Sequence, residues 1–277
     1  MAMQKGTRTS VGGALMEKVP QRLRDLAALA RRAGAEILRI RERGAKVREK
    51  ADSSPVTEAD EAAEAVILAG LKELWLDIPV IAEEEAAAGR LPDTGRRFFL
   101  VDPLDGTKSF IAGREDFTVN IALIEDGAPV AGVVHVPAKG ELYAGDKQAG
   151  AFFARGDAPL APMEHKPREA GKGLRAVASL NHRDAQTDAW LAAHGIKDVV
   201  AAGSSIKLCL LARGEADVYP RFGRTMEWDI AAGQAVLEAA GGRVLEAESG
   251  APLRYGKAVR GFDNPPFIAW AAGVRPS

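Results

Sequence analysis

The apolar residues of this chain change their spacing twice, and that constrains its fold more than any other feature. From Gln21 to Arg43, Leu23, Leu26, Ala30, Ala33, Ile37 and Ile40 recur at three- and four-residue steps, which puts them on one face of an α-helix. A second helix is expected over 57–75, with Ala59, Ala63, Val66, Ile67, Leu71 and Leu74 inward, Pro55 just ahead of it and Thr57 as its N-cap. After Pro79 the runs shorten. Val80-Ile81-Ala82 and Phe98-Phe99-Leu100-Val101 are bounded by charge and turn residues, as buried strands are. Stretches 118–124 and 129–136 flank Glu125-Asp126-Gly127-Ala128, and Asp-Gly between two β-rich runs signals a hairpin. Strands at 141–145 and 150–153 extend the same antiparallel sheet. Beyond 173 the pattern alternates: strands at 174–178, 198–201, 216–219 and 243–246, helices at 183–194, 204–213 and 228–240, the last closed by Gly241-Gly242.

The segment 156–173, rich in Pro, Gly, Lys and Glu, divides the two regimes. The expectation is a layered sandwich, with an α+β domain over 20–157 and an α/β domain over 172–275 that meet at a site. With 37 basic and 38 acidic side chains, the chain has no global attraction for nucleic acid or an anionic membrane. An anionic small ligand would therefore need locally gathered basic residues or metal ions. The single cysteine, Cys209, lies in an apolar run and reads as a core residue. His135, His165, His182 and His194 are scattered, which argues against zinc. The first 16 residues are polar and glycine-rich, unlike a signal peptide, and no stretch is apolar enough to span a membrane, so a cytoplasmic protein is expected.

The densest chemical signal is Val101-Asp102-Pro103-Leu104-Asp105-Gly106-Thr107. Two carboxylates leave the end of a buried strand around a proline, and Gly106 allows a tight turn directly after them. Such a turn can aim Asp102, Asp105 and the Leu104 carbonyl at one place, with the Gly106 and Thr107 N–H groups nearby. Hard oxygen donors of this kind suit Mg²⁺. The plain alternative is an Asp-Pro-x-Asp-Gly surface turn. Three more groupings bear on the choice. Glu83-Glu84-Glu85 follows the strand at 80–82 and is either a solvated loop or, if that strand lies beside 98–101, a neighbour of Asp102. Asp229, in Met226-Glu227-Trp228-Asp229, opens a helix as a cap, yet a capping carboxylate can also ligate a cation. Thr57 and Asp60 fit a capping box; the functional alternative has Asp60 orienting a catalytic hydroxyl or water.

Asp-Pro-Leu-Asp-Gly-Thr at 102–107 resembles the signature of the inositol-monophosphatase superfamily, and Trp228-Asp229 followed by small residues resembles its second signature. The order Thr-x-x-Asp, Glu-Glu, Asp-Pro turn, Trp-Asp also matches, and the likeness runs from about Leu23 to Ala272. Within the superfamily, Ser54-Pro55-Val56-Thr57, Asp105-Gly106-Thr107-Lys108, the run from Phe117 to Ile124, Gly203-Ser204-Ser205-Ile206-Lys207 and Ala216-Asp217-Val218-Tyr219-Pro220-Arg221 resemble the bacterial 3'(2'),5'-bisphosphate nucleotidases. Ser109, where that group usually has Glu, and Ala82, where Ser commonly precedes Glu-Glu, depart from it.

The resemblance implies the layered sugar-phosphatase-like fold and two or three Mg²⁺ ions. One ion would be held by Glu83, Asp102 and the Leu104 carbonyl, a second by Asp102, Asp105 and Asp229. It implies that Gly106 and Thr107 meet the scissile phosphate and that Thr107, with Asp60 or Glu83, deprotonates the attacking water. The substrate implied is adenosine 3',5'-bisphosphate or its 5'-phosphosulfate analogue, in a reaction that clears a by-product of sulfate assimilation and is sensitive to Li⁺. Ser205, Lys207 and Arg221 are the candidates for the second phosphate; alternatively Ser204 merely caps its helix and Lys207 is solvated. A homodimer and a peripheral contact with the inner membrane stay open. The rival readings are an inositol or sugar monophosphatase, which would need no basic second-phosphate site, and a non-catalytic nucleotide-binding protein, against which the full set of acids and Thr107 argues.

Overall fold

Both N-terminal helices form where the apolar spacing put them. The computed structural model describes residues 19–49, 55–168, 171–179 and 184–274. Residues 52–54, His182 and the start of the helix expected at 183 lie outside these. Helix α1 (Gln21–Arg43) ends at Gly44, whose φ of 83° places it where side chains are disfavoured. Strands β1 (Val47–Glu49) and β2 (Pro55–Thr57) pair antiparallel and lead into α2 (Glu58–Leu74), capped by Thr57 and Asp60 in a reciprocal capping box.

A seven-stranded sheet follows, built in chain order from β3 (Val80–Ala82), β4 (Arg97–Asp105), β5 (Thr118–Glu125), β6 (Ala128–Val136), β7 (Glu141–Asp146), β8 (Gly150–Arg155) and β9 (Ala161–Pro162). It was expected to be antiparallel and is mixed, because β3 runs parallel to β4. Two short helices interrupt it, α3 (Glu83–Ala87) and α4 (Thr107–Ile111). The β5–β6 hairpin turns on Asp126 and Gly127 at φ 50° and 72°, two left-handed residues whose twist matches that of the strands. Both faces of this sheet are buried, so its side chains sort by parity: Phe99, Val101, Ile121 and Leu123 pack against α1 and α2, while Phe98, Leu100, Ala122 and Ile124 join the opposite core.

That opposite core continues into a five-stranded sheet of order β11-β10-β12-β14-β13. In the chain its elements run β10 (Arg175–Ser179), α5 (Ala185–Ala193), β11 (Asp198–Ala202), α6 (Ile206–Ala212), β12 (Val218–Arg221), α7 (Glu227–Ala239), β13 (Arg243–Glu246) and β14 (Phe267–Trp270). The strand expected at 216–219 lies two residues later, and the helix expected at 204–213 is shorter because Ser204 takes a left-handed φ of 44°. Strand β14, not expected, inserts between β12 and β13 and is antiparallel to both. Helices α6 and α7 fill the layer between the two sheets, with Cys209 fully buried among the apolar residues as its sequence context implied. Among the described residues no helix is long and apolar enough to cross a membrane.

Helix α7 lies very close to the large sheet. A Cβ at Gly145 would stand 2.5 Å from both the Val236 Cα and the Ala235 carbonyl oxygen, and one at its cross-strand partner Gly132 would stand 2.8 Å from the Ala235 Cβ. Backbone on both sides leaves little room to yield. Gly145→Ala is therefore expected to destabilise the protein by about 1–3 kcal/mol. Gly173→Ala, with no atom within 4 Å of its new methyl group, should not. Urea midpoints of the two variants check this; equal midpoints would contradict so close an approach.

Candidate functional site

The acidic residues converge because of strand register. Ala82 pairs with Val101, so Glu83, the first residue of α3, and Asp102, the next residue of β4, leave their strands side by side. The β4–β5 register then slips: Asp102 faces Asn120 while Asp105 faces Thr118, so three steps on one strand match two on the other. Pro103 occupies this bulge and the Leu104 N–H turns back to donate to Asp102 Oδ1 at 3.0 Å. Gly106 completes the turn at φ 92°, and a Cβ there would lie 2.8 Å from the Asp116 carbonyl oxygen.

Thr107, next in line, is tied to α2. Its hydroxyl reaches Asp60 Oδ1 at 3.1 Å and the Leu104 carbonyl at 3.2 Å, with one proton to share between them. Asp60 Oδ2 accepts from the Thr57 N–H at 2.8 Å and the Thr57 hydroxyl at 2.7 Å. The Asp60 carboxyl is raised above its usual range, chiefly by burial, with the Glu83 charge adding to the rise and the Thr57 and Thr107 bonds opposing it.

The other wall belongs to α7. The Asp229 carboxylate accepts the Met226 N–H at 2.8 Å, the capping role open to it from sequence. Half-buried, and next to Asp105 and Glu83, the Asp229 carboxyl is pushed well above its usual range, first by desolvation and then by those two charges. Ser205 links the halves. Its hydroxyl lies 2.6 Å from the Asp229 carbonyl and 3.1 Å from Asp105 Oδ2, and it accepts from the Asn120 amide at 2.9 Å. Ser204 does not cap α6: the N-cap position is Ser205, which makes no side-chain cap bond, and the Ser204 hydroxyl instead shares a hydrogen bond with Thr118 at 2.8 Å.

Nor is Lys207 solvated. It is 6% exposed, donates to the Ser204 carbonyl and stands 5.4 Å from the centre of the Tyr219 ring. Burial pulls its ammonium down to about 8, with Asp105 and Asp229 opposing and Arg221 reinforcing the shift. Arg221, on β12, is 7% exposed and donates to the Arg224 carbonyl at 2.9 Å.

Glu83, Asp105, Gly106, Thr107, Ser205, Lys207, Arg221 and Asp229 line a single pocket of about 710 Å³. Asp60, Asp102 and Leu104 stand behind it, each 1% exposed. Among the described residues no three His, Cys, Asp or Glu side chains close into a finished metal cage. Two carboxylates of this neighbourhood went unnoticed in the sequence. Glu64, on α2, accepts the Glu84 and Glu85 N–H groups at 2.8 and 3.0 Å, and burial pushes its carboxyl up to about 7. Glu227, fully buried, accepts the Gly256 and Lys257 N–H groups at 2.7 and 2.9 Å and pairs with the Lys257 ammonium at 2.8 Å. Neither has a local motif that would have marked it. The pocket also takes in Tyr219, Trp228 and Phe262.

The family model for inositol monophosphatases matches residues 20–266. The 3'(2'),5'-bisphosphate nucleotidase CysQ of Escherichia coli (strain K12) is 43% identical over 242 residues, 86% of this chain and 95% of that protein. Its counterpart from Salmonella typhimurium is 43% identical over 88% of this chain and 98% of its own length. Among solved structures, CysQ from Bacteroides thetaiotaomicron, described as a bacterial member of the inositol monophosphatase family, superimposes with a TM-score of 0.74 at 38% identity, covering 90% of this chain and 97% of that one. An inositol monophosphatase from Thermotoga maritima gives a TM-score of 0.74 at 25% identity over 91% and 92%.

Proposed function

Because the chain belongs to the inositol monophosphatase family, we propose that it is a Mg²⁺-dependent phosphomonoesterase that hydrolyses adenosine 3',5'-bisphosphate to AMP and phosphate, with the 5'-phosphosulfate analogue as a second substrate. The observation that carries this reading is one pocket lined by two kinds of group: carboxylates with Thr107, and the buried cations Lys207 and Arg221. A substrate with two phosphates can use both.

The donor set fits Mg²⁺. It consists of the carboxylates of Glu83, Asp102, Asp105 and Asp229 and the Leu104 carbonyl, all hard oxygens, and no imidazole or thiol is among the described residues of the pocket. The upward shift of Asp229, driven in part by its acidic neighbours, is the repulsion a divalent cation relieves. These residues would hold two or three ions. When bound, Mg²⁺ supplies charge neutralisation at the phosphate, a more acidic water and stabilisation of the departing alkoxide.

The protein's own groups then divide the remaining work. Thr107 donates its proton to Asp60 Oδ1 and so turns an oxygen lone pair toward a water in the pocket. Asp60, anchored on Oδ2 by two Thr57 donors, keeps Oδ1 for that proton, and its raised affinity for protons suits it to accept one. The Gly106 and Thr107 N–H groups, at the start of α4, orient the reacting phosphate. Lys207 and Arg221 take the phosphate that does not react, and buried as they are, their charges are little screened there.

Lys207→Met and Arg221→Gln test the assignment. Each should lower kcat/KM on adenosine 3',5'-bisphosphate by roughly tenfold to a hundredfold, from a lost charged contact of about 1.5–3 kcal/mol. Turnover of inositol 1-phosphate should change far less. Equal losses on both substrates would remove these residues from the second-phosphate site, and a wild-type preference for inositol 1-phosphate over the bisphosphate would replace the proposed substrate.

A further inference from the structure

Glu64 lies one helical turn beyond Asp60 on α2, with its side chain 4% exposed. Its two carboxylate oxygens each take one N–H from consecutive residues, Glu84 and Glu85. Those residues are the second and third of α3, whose own N-cap, Ala82, has no side chain able to satisfy them. Glu64 therefore caps α3 from another element. A bidentate clamp on two successive N–H groups fixes both the position and the rotation of a helical turn, which a single bond does not. On the other side of Glu83, the Ala82–Val101 pairing holds the end of β3. Glu83 is the one residue between these two anchors. A carboxylate buried beside three other acids is costly, and an apolar residue would fill the same volume more cheaply unless the bonds it makes are needed.

We propose that Glu64 is a positioning residue for Glu83: by clamping the Glu84 and Glu85 N–H groups it sets the direction in which the Glu83 carboxylate enters the pocket. This rests on the reading of Glu83 as a Mg²⁺ ligand. Glu64 touches neither substrate nor metal, so its effect should appear in cation affinity and not in substrate affinity.

Mg²⁺ titration by calorimetry on the full chain, without substrate, is the direct test. Glu64→Gln keeps the shape but replaces one acceptor oxygen with an amide that faces an N–H. Glu64→Asp keeps charge and both oxygens but withdraws them by one methylene, and serves if the glutamine variant does not fold. Either should weaken Mg²⁺ binding about tenfold, the range found for groups that orient metal ligands. Turnover lost at low Mg²⁺ should return at high Mg²⁺, with KM for the bisphosphate unchanged. Gly145→Ala, destabilised but remote from the pocket, should bind Mg²⁺ like the wild type and so separates positioning from lost stability. Wild-type Mg²⁺ affinity in the Glu64 variants, with weakened affinity in Glu83→Gln, overturns the proposal. Wild-type affinity in Glu83→Gln itself would instead remove the ligand reading, and the role of Glu64 with it.

Discussion

Asp105→Asn is expected to cut turnover by about a thousandfold or more, roughly 4 kcal/mol of lost transition-state stabilisation, while leaving the metal-free protein as stable as the wild type or more so. The two halves of this result have one cause. Asp105 ends β4 near Asp229, and its charge is the largest cause, after desolvation, of the raised Asp229 pKa. Asparagine retains an oxygen that can accept from Ser205, which lies 3.1 Å from Asp105 Oδ2 in the wild type, so the local packing survives. What disappears is the charge. A carboxyl whose pKa is raised in the folded state keeps its proton longer there than in the unfolded chain. The stability it contributes is present at low pH and is lost as pH rises above the ordinary carboxylate value and through the folded one. Asp105→Asn lessens the rise at Asp229 and so flattens that loss. The melting temperature of the variant in chelator should exceed the wild type most at neutral pH, and the two should converge in acid. Melting curves across that range, with phosphate release at saturating Mg²⁺, check both halves. Near-normal turnover, or a variant that melts well below the wild type at neutral pH, would remove Asp105 from the site.

What could be read from the sequence was local. The α1 face, the Asp126-Gly127 turn and the Thr57–Asp60 capping box are each set by residues within a few positions of one another, and all three form. The turn from Asp102 to Thr107 was legible for the same reason: strand end, proline and glycine are contiguous. Glu83 required one further inference, that its strand lies beside β4, and the Ala82–Val101 pairing is that neighbour relation. Long-range features left no such trace. Strand β14 is four residues from the end of the described chain, yet it sits between β12 and β13, and nothing in Phe267-Ile268-Ala269-Trp270 specifies that place. Glu64 and Glu227 look like any exposed acid on a helix, and their partners lie twenty or more residues away. Lys207 shows the limit from the other side. A lysine after two serines looks solvated, and only the packing of α6 between two sheets buries it.

Thr107→Val should lower kcat by about a hundredfold to ten-thousandfold, with Mg²⁺ affinity and KM close to the wild type. The valine matches threonine in shape and removes only the hydroxyl that joins Asp60 to the pocket. In the proposed chemistry the water's proton passes to that oxygen as the threonine proton moves to Asp60 Oδ1, so a methyl group in its place breaks the relay without disturbing a metal ligand. Thr107→Ser keeps the hydroxyl, loses a methyl group and should regain most of the rate. The pH dependence separates this role from a packing role. Asp60 must be ionised to accept the proton, so wild-type turnover should fall as pH drops through its raised pKa, whereas the residual rate of the valine variant, no longer routed through Asp60, should lack that limb. The Thr107 bond also holds the Asp60 pKa down, so the valine variant should protonate Asp60 at a higher pH than the wild type, which a carboxyl titration followed by NMR can read. A valine variant with the full rate, or one whose lost rate keeps the wild-type acid limb, would leave Thr107 as a turn residue and pass the proton to another group of the pocket.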